Sequence, residues 1–455
     1  MEDADTICAI STPPGEGGIG IIRISGNKAH SILKQVFRPR KQRGIFLPSM
    51  LYLGDIVEPE NNATLDEVLA VLMKAPQTYT REDTAEIYAH GGYVTQKNIL
   101  SLITKSGARL AEPGEFTKRA FLNGRIDLLQ AESVLDIIQS ETDEEFRCAF
   151  NYLKGAISGK IHVMQKAIQT TLANTEALID FPEEDVDVDE EDLSPVLEKT
   201  KRDMEALIGS YEEGRAIKQG LDVLIAGKTN VGKSSLLNAL LVKERAIVTP
   251  VPGTTRDMIE DTIYIKGIKV KIIDTAGIRT PSDIVEQEGI ARVKRKISET
   301  DLIIWVLDGS EAYSQEDDEV YREIRDNHFV VALNKIDLPQ AIDIKELASK
   351  GLQWVEISAL KDVGLEKLKG SIYAGLMGNN RRPDKTLITN MRHKNALAEA
   401  KDNIERAIEC RKNKEPLEFI AFELREALHH LGEITGETFT DDILHEIFHK
   451  FCIGK

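Results

Sequence analysis

Apolar residues in the first part of the chain fall into short runs that are broken by Gly and Pro. Two of these runs have the length and apolar character of buried strands, and two other stretches place apolar residues at helical spacing. We therefore expect an α+β domain over residues 1–120. The expected strands are 19–24 and 67–72, and the expected helices are 31–37 and 94–104.

A helical pattern begins at about residue 121 and stops at Phe181 and Pro182, before an acidic run. It then resumes, and strand and helix patterns alternate over 214–380 before helical spacing returns after residue 383. Two helical segments that flank an α/β segment predict one helical domain with a second domain inserted into it. The expected domains are 1–120 (α+β), 121–213 (helical, first part), 214–380 (inserted α/β) and 381–455 (helical, second part).

Residues 227–234 fit the pattern G-x-x-x-x-G-K-S, which is typical of a loop that binds nucleotide phosphates. A strand pattern at 221–226 precedes it and a helical pattern at 235–241 follows it, as such a loop requires. The glycines let backbone N–H groups turn towards the phosphates, Lys233 reaches the β and γ oxygens, and Ser234 can ligate Mg²⁺. The positive end of the helix dipole adds to this attraction.

Shorter motifs accompany the loop in the order that a GTPase requires. Asp274 ends an apolar strand pattern, where a carboxylate can hold the Mg²⁺ shell, and Thr255 lies where a switch threonine would close on the ion. Asp337 follows another strand pattern and can accept two hydrogen bonds from guanine, whereas adenine lacks the 2-amino group. We therefore expect GTP as substrate and Mg²⁺ as cofactor. The expected contacts are Asn230, Val231, Gly232, Lys233, Ser234, Ser235, Thr254, Thr255, Asp274, Thr275, Ala276, Gly277, Asn334, Lys335, Asp337, Ser358, Ala359 and Leu360.

Negative charge is concentrated in one part of the chain, whose formal net charge is −17. Residues 121–213 hold 8 basic and 22 acidic residues, a difference of −14, so a nucleic acid would have to be contacted through a local basic patch. No run of 18 apolar residues occurs, and the acidic start lacks the pattern of a signal peptide. The four cysteines are far apart, which is typical of a reducing compartment. We therefore expect a cytoplasmic protein.

Residues 445–449 fit H-E-x-x-H, a pattern that places two histidines on one face of a helix and can bind zinc. The same stretch also carries an apolar stripe at helical spacing, and no clear third ligand is evident in the sequence. We therefore favour an amphipathic helix over a zinc protease.

Several longer motifs outside the phosphate-binding loop are more specific than that loop. They lie at 5–15, 17–26, 79–86 followed by His-Gly-Gly at 90–92, 113–127, and the end of the chain, Phe-Cys-Ile-Gly-Lys at 451–455. On these motifs the chain resembles the MnmE (TrmE) family of tRNA modification GTPases over essentially all of its length.

This resemblance implies an N-terminal folate-binding domain that forms a homodimer, a helical domain, and an inserted Ras-like P-loop GTPase domain. It also implies a flavoprotein partner, MnmG (GidA). Together the two proteins would install a carboxymethylaminomethyl or aminomethyl group at C5 of the tRNA wobble uridine. A tetrahydrofolate derivative, in its 5-formyl or methylene form, would carry the one-carbon unit.

The resemblance further assigns residues to these ligands. Ile278 stands where Ras-like GTPases have a water-orienting Gln, and an Ile cannot orient water, so the family's switch Glu, here Glu286, is the expected catalytic residue. Cys452, in the tail, could act in catalysis or simply pack as a small apolar side chain. The implied folate contacts are Arg23, Glu86, Arg125 and Lys455, and the implied K⁺ contacts are Asn230, Thr249, Val251 and Thr254.

Two other functions stay open at this point. One is a regulatory GTPase switch without modification chemistry, in which the N-terminal domain would bind a protein. The other is a ribosome-assembly GTPase, a class that usually adds a basic RNA-binding extension, which this sequence lacks. A measurement of folate binding would distinguish a tRNA modification GTPase, which should bind folate, from both of these alternatives.

Overall fold

A computed structural model describes residues 5–40, 46–181, 193–244, 261–274, 297, 299–377 and 386–455. These residues form two compact units. The first, which we call the outer unit, contains Met1–Gln139, Ala149–Glu205 and Asn395–Lys455. The second, the inserted unit, contains Ser140–Cys148 and Ala206–Lys394. The main segment of the inserted unit therefore lies between two segments of the outer unit in the sequence.

The elements are numbered in chain order over the described residues. The strands are β1 (Ile7–Ile10), β2 (Ile19–Ser25), β3 (Phe37–Pro39), β4 (Tyr52–Val57), β5 (Thr64–Met73), β6 (Thr84–His90), β7 (Arg109–Leu110), β8 (Leu221–Ala226), β9 (Asp261–Ile265), β10 (Ile268–Asp274), β11 (Leu302–Asp308), β12 (Phe329–Asn334) and β13 (Trp354–Glu356). The helices are α1 (Ala29–Val36), α2 (Tyr93–Lys105), α3 (Glu115–Leu122), α4 (Leu128–Gln139), α5 (Asp143–Leu153), α6 (Ala156–Asp180), α7 (Leu193–Ile208), α8 (Tyr211–Gln219), α9 (Lys233–Glu244), α10 (Gln315–Ile324), α11 (Ile344–Ser349), α12 (Leu365–Met377), α13 (Met391–Lys412), α14 (Leu417–Thr435) and α15 (Asp441–His449).

The outer unit is built on a sheet of order β3-β4-β5-β6-β2-β1-β7, in which all pairs are antiparallel except β1 with β7. Apolar residues such as Ile22, Ile24 and Ile87 point to one face, where α1 and α2 cover them. Because strand residues alternate between faces, Arg23 lies on the opposite face, directly across from Glu86 on β6. This register places two charged side chains side by side on one surface.

One expected helix boundary was wrong. The helix expected at 31–37 ends at Val36, and Phe37 begins β3. Phe37 is 2% exposed and pairs with Ile56 of β4, so packing of its ring favours the strand over another helical residue. The strands expected at 19–24 and 67–72 are confirmed as β2 and β5.

Helices make up the rest of the outer unit. The helical pattern that begins near residue 121 corresponds to α4, and the later helix α6 ends at Asp180, just before the expected break at Phe181. The helix α6 packs along α14, which follows the inserted unit in the sequence. The outer unit therefore depends on residues from both sides of the insertion.

The inserted unit has a sheet of order β13-β12-β11-β8-β10-β9, parallel except for β9 with β10. All seven residues of β11 are buried, as expected for a central parallel strand that is covered on both faces. Leu236 and Leu240 of α9 pack on one face, and Trp305 of β11 packs on the other. The loops after the carboxyl ends of β8 and β12 therefore meet at one edge, where ligands bind in open α/β sheets.

The chain leaves the inserted unit close to where it began. The hydroxyl of Ser210, before α8, accepts a hydrogen bond of 3.0 Å from the backbone N–H of Ile388, before α13. A Cβ on Gly214 would lie 2.1 Å from the Ile388 carbonyl oxygen, so only glycine allows this approach. The two ends of the unit are thus joined by buried backbone contacts.

Among the described helices, none combines the length and the apolar character that crossing a membrane requires.

Candidate functional site

The phosphate-binding loop connects the end of β8 with the start of α9, and its two glycines are fixed by close contacts. Gly227 has φ +148°, and a Cβ there would lie 2.5 Å from the carbonyl oxygen of Val306. Gly232 has φ +97°, and a Cβ there would lie 2.4 Å from the Asn334 side-chain nitrogen. A side chain at either position would collide with a neighbouring strand or loop, so these glycines set the path of the loop.

The loop lines one part of a cavity of about 580 Å³, and residues of α10 line another part. This volume is within the usual range for a small-molecule site. Lys233, at the start of α9, donates hydrogen bonds from Nζ to the carbonyl oxygens of Gly227 at 2.9 Å and Lys228 at 2.6 Å. Asn230 lies at the cavity edge with φ +64°, a left-handed conformation that Asn tolerates. The amino end of α9 and the Lys233 ammonium therefore make this cavity favourable for an anion. Other loop residues in the cavity wall are Thr229, Gly232, Ser234 and Ser235.

Asn334, at the end of β12, joins the phosphate-binding loop to the loop after β13. Its Nδ2 donates to the Val231 carbonyl at 2.8 Å, and its Oδ1 accepts from the Ala359 backbone N–H at 3.0 Å. Ser358, which is fully buried, donates from Oγ to Asp337 Oδ1 at 2.6 Å and so orients that carboxylate. Three segments that the sequence predicts for nucleotide binding are therefore brought together at one edge of the sheet.

Lys335 and Leu360, both predicted contacts, flank this arrangement. The Lys335 ammonium lies 2.5 Å from the buried carboxylate of Asp308 at the end of β11. Burial would raise the pKa of Asp308, but its hydrogen bonds with Lys335 and Ser310 hold the pKa below its ordinary value. Leu360 is 79% exposed. Asp308 was not among the predicted residues, although its position at a strand end was a usable signal.

A second polar group lies on the outer unit. Arg23 Nε is 2.8 Å from Glu86 Oε1 across strands β2 and β6, and Tyr88 donates to Glu86 Oε2 at 2.7 Å. The Arg23 guanidinium lies over the rings of Tyr79 and Phe116, at 5.6 and 5.7 Å. Burial and the neighbouring carboxylate raise the pKa of Tyr88 to about 12, so its hydroxyl stays a donor at neutral pH.

Arg125 also contacts Tyr79 and completes this group. Its guanidinium lies 4.6 Å from the Tyr79 ring centre, and its Nη1 donates to the Tyr79 carbonyl at 3.1 Å. The Tyr79 ring therefore has guanidinium groups near it from two distant segments of the chain. We call the group the N-terminal cluster, and it consists of Arg23, Tyr79, Glu86, Tyr88, Phe116 and Arg125.

Two family models match consecutive parts of the chain. The family model described as "GTP-binding protein TrmE N-terminus" matches residues 6–125, and the model described as "MnmE helical domain" matches residues 128–452.

The chain belongs to the MnmE (TrmE) family.

Full-length relatives agree with this assignment. The chain is 48% identical over 459 residues to the "tRNA modification GTPase MnmE" of Thermoanaerobacter pseudethanolicus, with 99% of each chain covered. It is 45% identical over 459 residues to the protein of the same name from Acetivibrio thermocellus, with 100% of each covered. For the protein of that name from Clostridioides difficile the identity is 44% over 460 residues, with 99% of each covered. The expected MnmE-type fold, an N-terminal α+β domain with a helical domain and an inserted P-loop domain, is confirmed.

The end of this MnmE-family chain lies beside the N-terminal cluster. Ile453 forms an antiparallel bridge with Pro113, and the Lys455 carbonyl accepts a hydrogen bond of 3.2 Å from the backbone N–H of Phe116. A Cβ on Gly454, which has φ +95°, would lie 2.2 Å from the Ile10 carbonyl oxygen. The tail thus approaches the cluster through Phe116, whose ring packs against Arg23. Cys452 is exposed.

Sequence reasoning missed the partner of Lys228 in the phosphate-binding loop. Lys228 Nζ lies 3.0 Å from Glu311 and 3.2 Å from Asp317, and only 10% of its side chain is exposed. Burial opposes its positive charge, but these two carboxylates hold its pKa above the ordinary value. Asp317 also forms a capping box with Ser314 at the start of α10. The S-x-x-D pattern at 314–317 was the sequence signal for this helix start.

Several predicted residues lie outside the described residues. Of the predicted Mg²⁺ and K⁺ ligands, the structure describes Ser234 and Asn230, and these lie in the wall of one cavity. Asp274 ends β10, and only its backbone is described. The residues outside the description are Thr249, Val251, Thr254, Thr255, Thr275, Ala276, Gly277 and Glu286.

The H-E-x-x-H pattern lies on α15, as the amphipathic interpretation expected. Leu444, Ile447 and Phe448 are buried, while the rings of His445 and His449 stack with centres 5.5 Å apart. The glutamate of the pattern pairs with Lys450 at 3.0 Å.

Proposed function

We propose that this chain is a K⁺-dependent GTP hydrolase that, with the flavoprotein MnmG (GidA), modifies tRNA. Together they would install a carboxymethylaminomethyl or aminomethyl group at C5 of the wobble uridine, using a one-carbon unit of tetrahydrofolate. The relatives named above are tRNA modification GTPases. The observation that carries the hydrolase part is the link that Asn334 makes between the phosphate-binding loop and the loop of Ser358 and Ala359.

Guanine selection follows from the orientation of Asp337. Ser358 donates to one carboxylate oxygen of Asp337, and this contact would help orient the carboxylate to accept hydrogen bonds from guanine N1–H and the 2-amino group. ATP lacks that amino group and would leave a polar group without a partner. Lys233 would exchange the two loop carbonyls for the β and γ phosphate oxygens. Ser234 would ligate Mg²⁺, which neutralises charge on the β and γ oxygens.

Hydrolysis would use two further groups. Asn230 would hold K⁺ together with Thr249, Val251 and Thr254, and the ion would offset the charge that develops at the β–γ bridge. An arginine finger does this in other GTPases and contributes about 10³-fold or more to the rate. Glu286 would orient the attacking water, since Ile278 cannot. Enclosure of the ion from water would strengthen its effect, so we propose that two inserted units meet across a homodimer during turnover.

The N-terminal cluster fits a folate derivative in its chemistry. Glu86 offers carboxylate oxygens to ring N–H donors, the flat guanidinium and aromatic groups offer stacking surfaces, and Arg125 offers positive charge to the carboxylates of the glutamate tail. Lys455, at the end of the tail, would add a further cation. The folate would supply the one-carbon unit, while these residues bind and orient it. The domain bounds 1–120, 121–213, 214–380 and 381–455 and the cytoplasmic location are part of the same proposal.

Titration of the purified chain with 5-formyltetrahydrofolate is the most direct test of the modification role. We expect saturable binding, and we expect tRNA to be modified only when MnmG, GTP and folate are all present. A chain that hydrolyses GTP but binds no folate would instead be the regulatory switch or the ribosome-assembly GTPase. In that case, faster GTP hydrolysis on addition of ribosomal particles would indicate the ribosome-assembly GTPase.

Ion dependence and the role of Glu286 are tested separately. GTP hydrolysis should be fast in KCl and slow in NaCl, and equal rates would exclude the K⁺ site. Glu286→Ala should bind GTP normally and hydrolyse it slowly. Glu316→Ala, in the first turn of α10, is the matched control and should retain the native rate.

A further inference from the structure

Two helices of the outer unit, α13 and α14, are joined by polar and charged side chains at two positions along their length. At one level Glu423 accepts hydrogen bonds from Asn403 at 2.7 Å and from Arg406 at 2.9 Å. At the other level Glu399 of α13 lies beside His430 of α14. No predicted nucleotide or folate contact lies in this second group, so it lacks a role in the function proposed above.

The second level has the geometry of metal ligands. His430 Nδ1 lies 3.2 Å from Glu399 Oε2 and 3.4 Å from Glu433 Oε2. Tetrahedral Zn²⁺ with bonds of about 2.0–2.1 Å requires its ligand atoms to lie about 3.3–3.4 Å apart. The nitrogen thus already has the separation from each of the two carboxylate oxygens that such an ion imposes. All three atoms lie within 4.8 Å of one another.

A fourth ligand is available from either of two directions. His429 Nε2 lies 3.6 Å from the other oxygen of Glu433, so this carboxylate lies near both imidazole rings. Glu399 and His430 also line a cavity of about 230 Å³ that has room for water. A nitrogen or a water oxygen could therefore complete four-coordination.

The charge around the cavity favours a cation. Glu399, Asp402 and Glu426 lie in its wall. Asp402 is paired with Lys401 and Arg406 with Glu423, so Glu399 and Glu426 supply the negative charge. The helices can also hold the ligands in place, because His430 and Glu433 are one turn apart on α14 and share one side of it. Glu399 comes from the neighbouring helix, so an ion bound here would connect the two helices.

We propose that Glu399, His430 and Glu433 form a binding site for a divalent first-row transition-metal ion, with Zn²⁺ as the best match. The ion would hold α13 against α14 and stabilise the outer unit. The competing explanation is an imidazolium that is simply paired with two carboxylates. That explanation predicts no selective metal affinity, so the two can be distinguished by titration.

The test uses the full-length, untagged chain without nucleotide, dialysed against a chelator and titrated with Co²⁺ as a visible probe. We expect one equivalent of Co²⁺ to give ligand-field bands without a thiolate charge-transfer band, and Zn²⁺ to displace it. His430→Gln and Glu399→Gln should each weaken binding by about 10-fold or more. The double variant His445→Gln/His449→Gln, which removes the histidine pair of α15, is the matched control and should bind normally.

Three results would overturn the proposal: no bands in the native chain, a Co²⁺ affinity of His430→Gln equal to that of the native chain, or bands that vanish in the α15 control. A thiolate band would place the ion on a cysteine instead. If a variant is unstable, the change in its Tm on addition of Zn²⁺ still shows whether it binds the ion. Zn²⁺ should raise the Tm of the native chain and of the control, and it should raise the Tm of Glu399→Gln by less at the same Zn²⁺ concentration, because this variant binds more weakly. Gln keeps the size of the exposed Glu399 side chain.

Discussion

The phosphate-binding loop and the N-terminal cluster hold their basic side chains in different ways. Lys233 donates to two carbonyl oxygens of its own loop, five and six residues away in sequence. Arg23 instead pairs with Glu86, which is 63 residues away and lies beside it only because strands β2 and β6 are in register. The first arrangement is local, whereas the second is produced by the sheet.

This difference affects how each site should respond to ligand and to mutation. A phosphate can replace the loop carbonyls around Lys233 while the loop keeps its glycine-defined path. A ligand at the cluster meets an ion pair that already exists, so it must add to that pair or compete with it. We therefore expect the nucleotide site to be governed by shape and hydrogen-bond matching, and the cluster by charge.

Asp337→Asn should produce the largest effect. The carboxylate that we propose accepts hydrogen bonds from guanine would become an amide, which matches xanthine. GTP affinity should therefore fall by at least about 10²-fold, and preference should move to xanthosine triphosphate. Fluorescent-nucleotide competition measures both affinities. Asp343→Asn, at the start of α11, is the control and should keep GTP preference. Equal binding of GTP and ATP by the native chain would contradict the assignment.

Arg23→Gln tests the charge-governed site. The variant removes the cation from the cluster and leaves Glu86 with a weaker partner, so affinity for 5-formyltetrahydrofolate should fall by about 30-fold, while GTP affinity should not change. Isothermal titration of both ligands gives the comparison. Arg38→Gln removes an exposed arginine of β3 and should leave both affinities unchanged. If Arg23→Gln binds folate like the native chain, the cluster is structural only.

Lys228→Met tests whether GTP binding by the phosphate-binding loop also depends on ion pairs with residues that are distant in sequence. Its ion pairs with Glu311 and Asp317 hold the loop to the segment before α10 and to the first turn of that helix, and their loss should weaken GTP binding by about 10-fold. The control is Lys350→Met. It removes an ion pair with Asp318, which also lies on α10, but Lys350 is not part of the phosphate-binding loop, so this variant should bind GTP normally. If Lys228→Arg does not rescue binding, a role through charge is contradicted.

The smallest expected effect concerns acid stability near the cluster. Burial would raise the pKa of Glu115, but hydrogen bonds from Arg109, a backbone N–H and Arg119 hold it below the ordinary value. Because the folded-state pKa is depressed, this stability is present above the unfolded pKa of about 4.3 and is lost as pH falls through the folded pKa.

Glu115→Gln should therefore lower the free energy of unfolding by about 1 kcal/mol at neutral pH and by less in acid. Urea unfolding at both pH values measures the difference. Glu60→Gln, in an exposed turn, should have no effect at either pH. An equal loss for Glu115→Gln at both pH values would show that ionisation of the carboxyl is not responsible.

Local patterns explain how far the sequence could predict the structure. Strands β8 and β12 and the loop after β8 were predictable, because apolar runs and glycine spacing act over a few residues. The pairing of Lys228 with Asp317 was not, since it depends on how two loops approach each other in space. The family resemblance implied Arg23 and Glu86 as folate contacts, but their pairing with each other depends on the register of two strands. Phe37 was assigned to a helix because its burial in a strand follows from tertiary packing.

The contact between Ser210 and Ile388 has a consequence for the order of folding. It closes a chain segment of 178 residues, and closing a flexible loop of that length costs about 5 kcal/mol of chain entropy. A folded inserted unit removes most of that cost, because it already holds its two ends together. Helix α6 can then find α14 as a near neighbour. We therefore expect the inserted unit to form first during refolding and the helical core of the outer unit to follow, an order that pulsed hydrogen exchange can resolve.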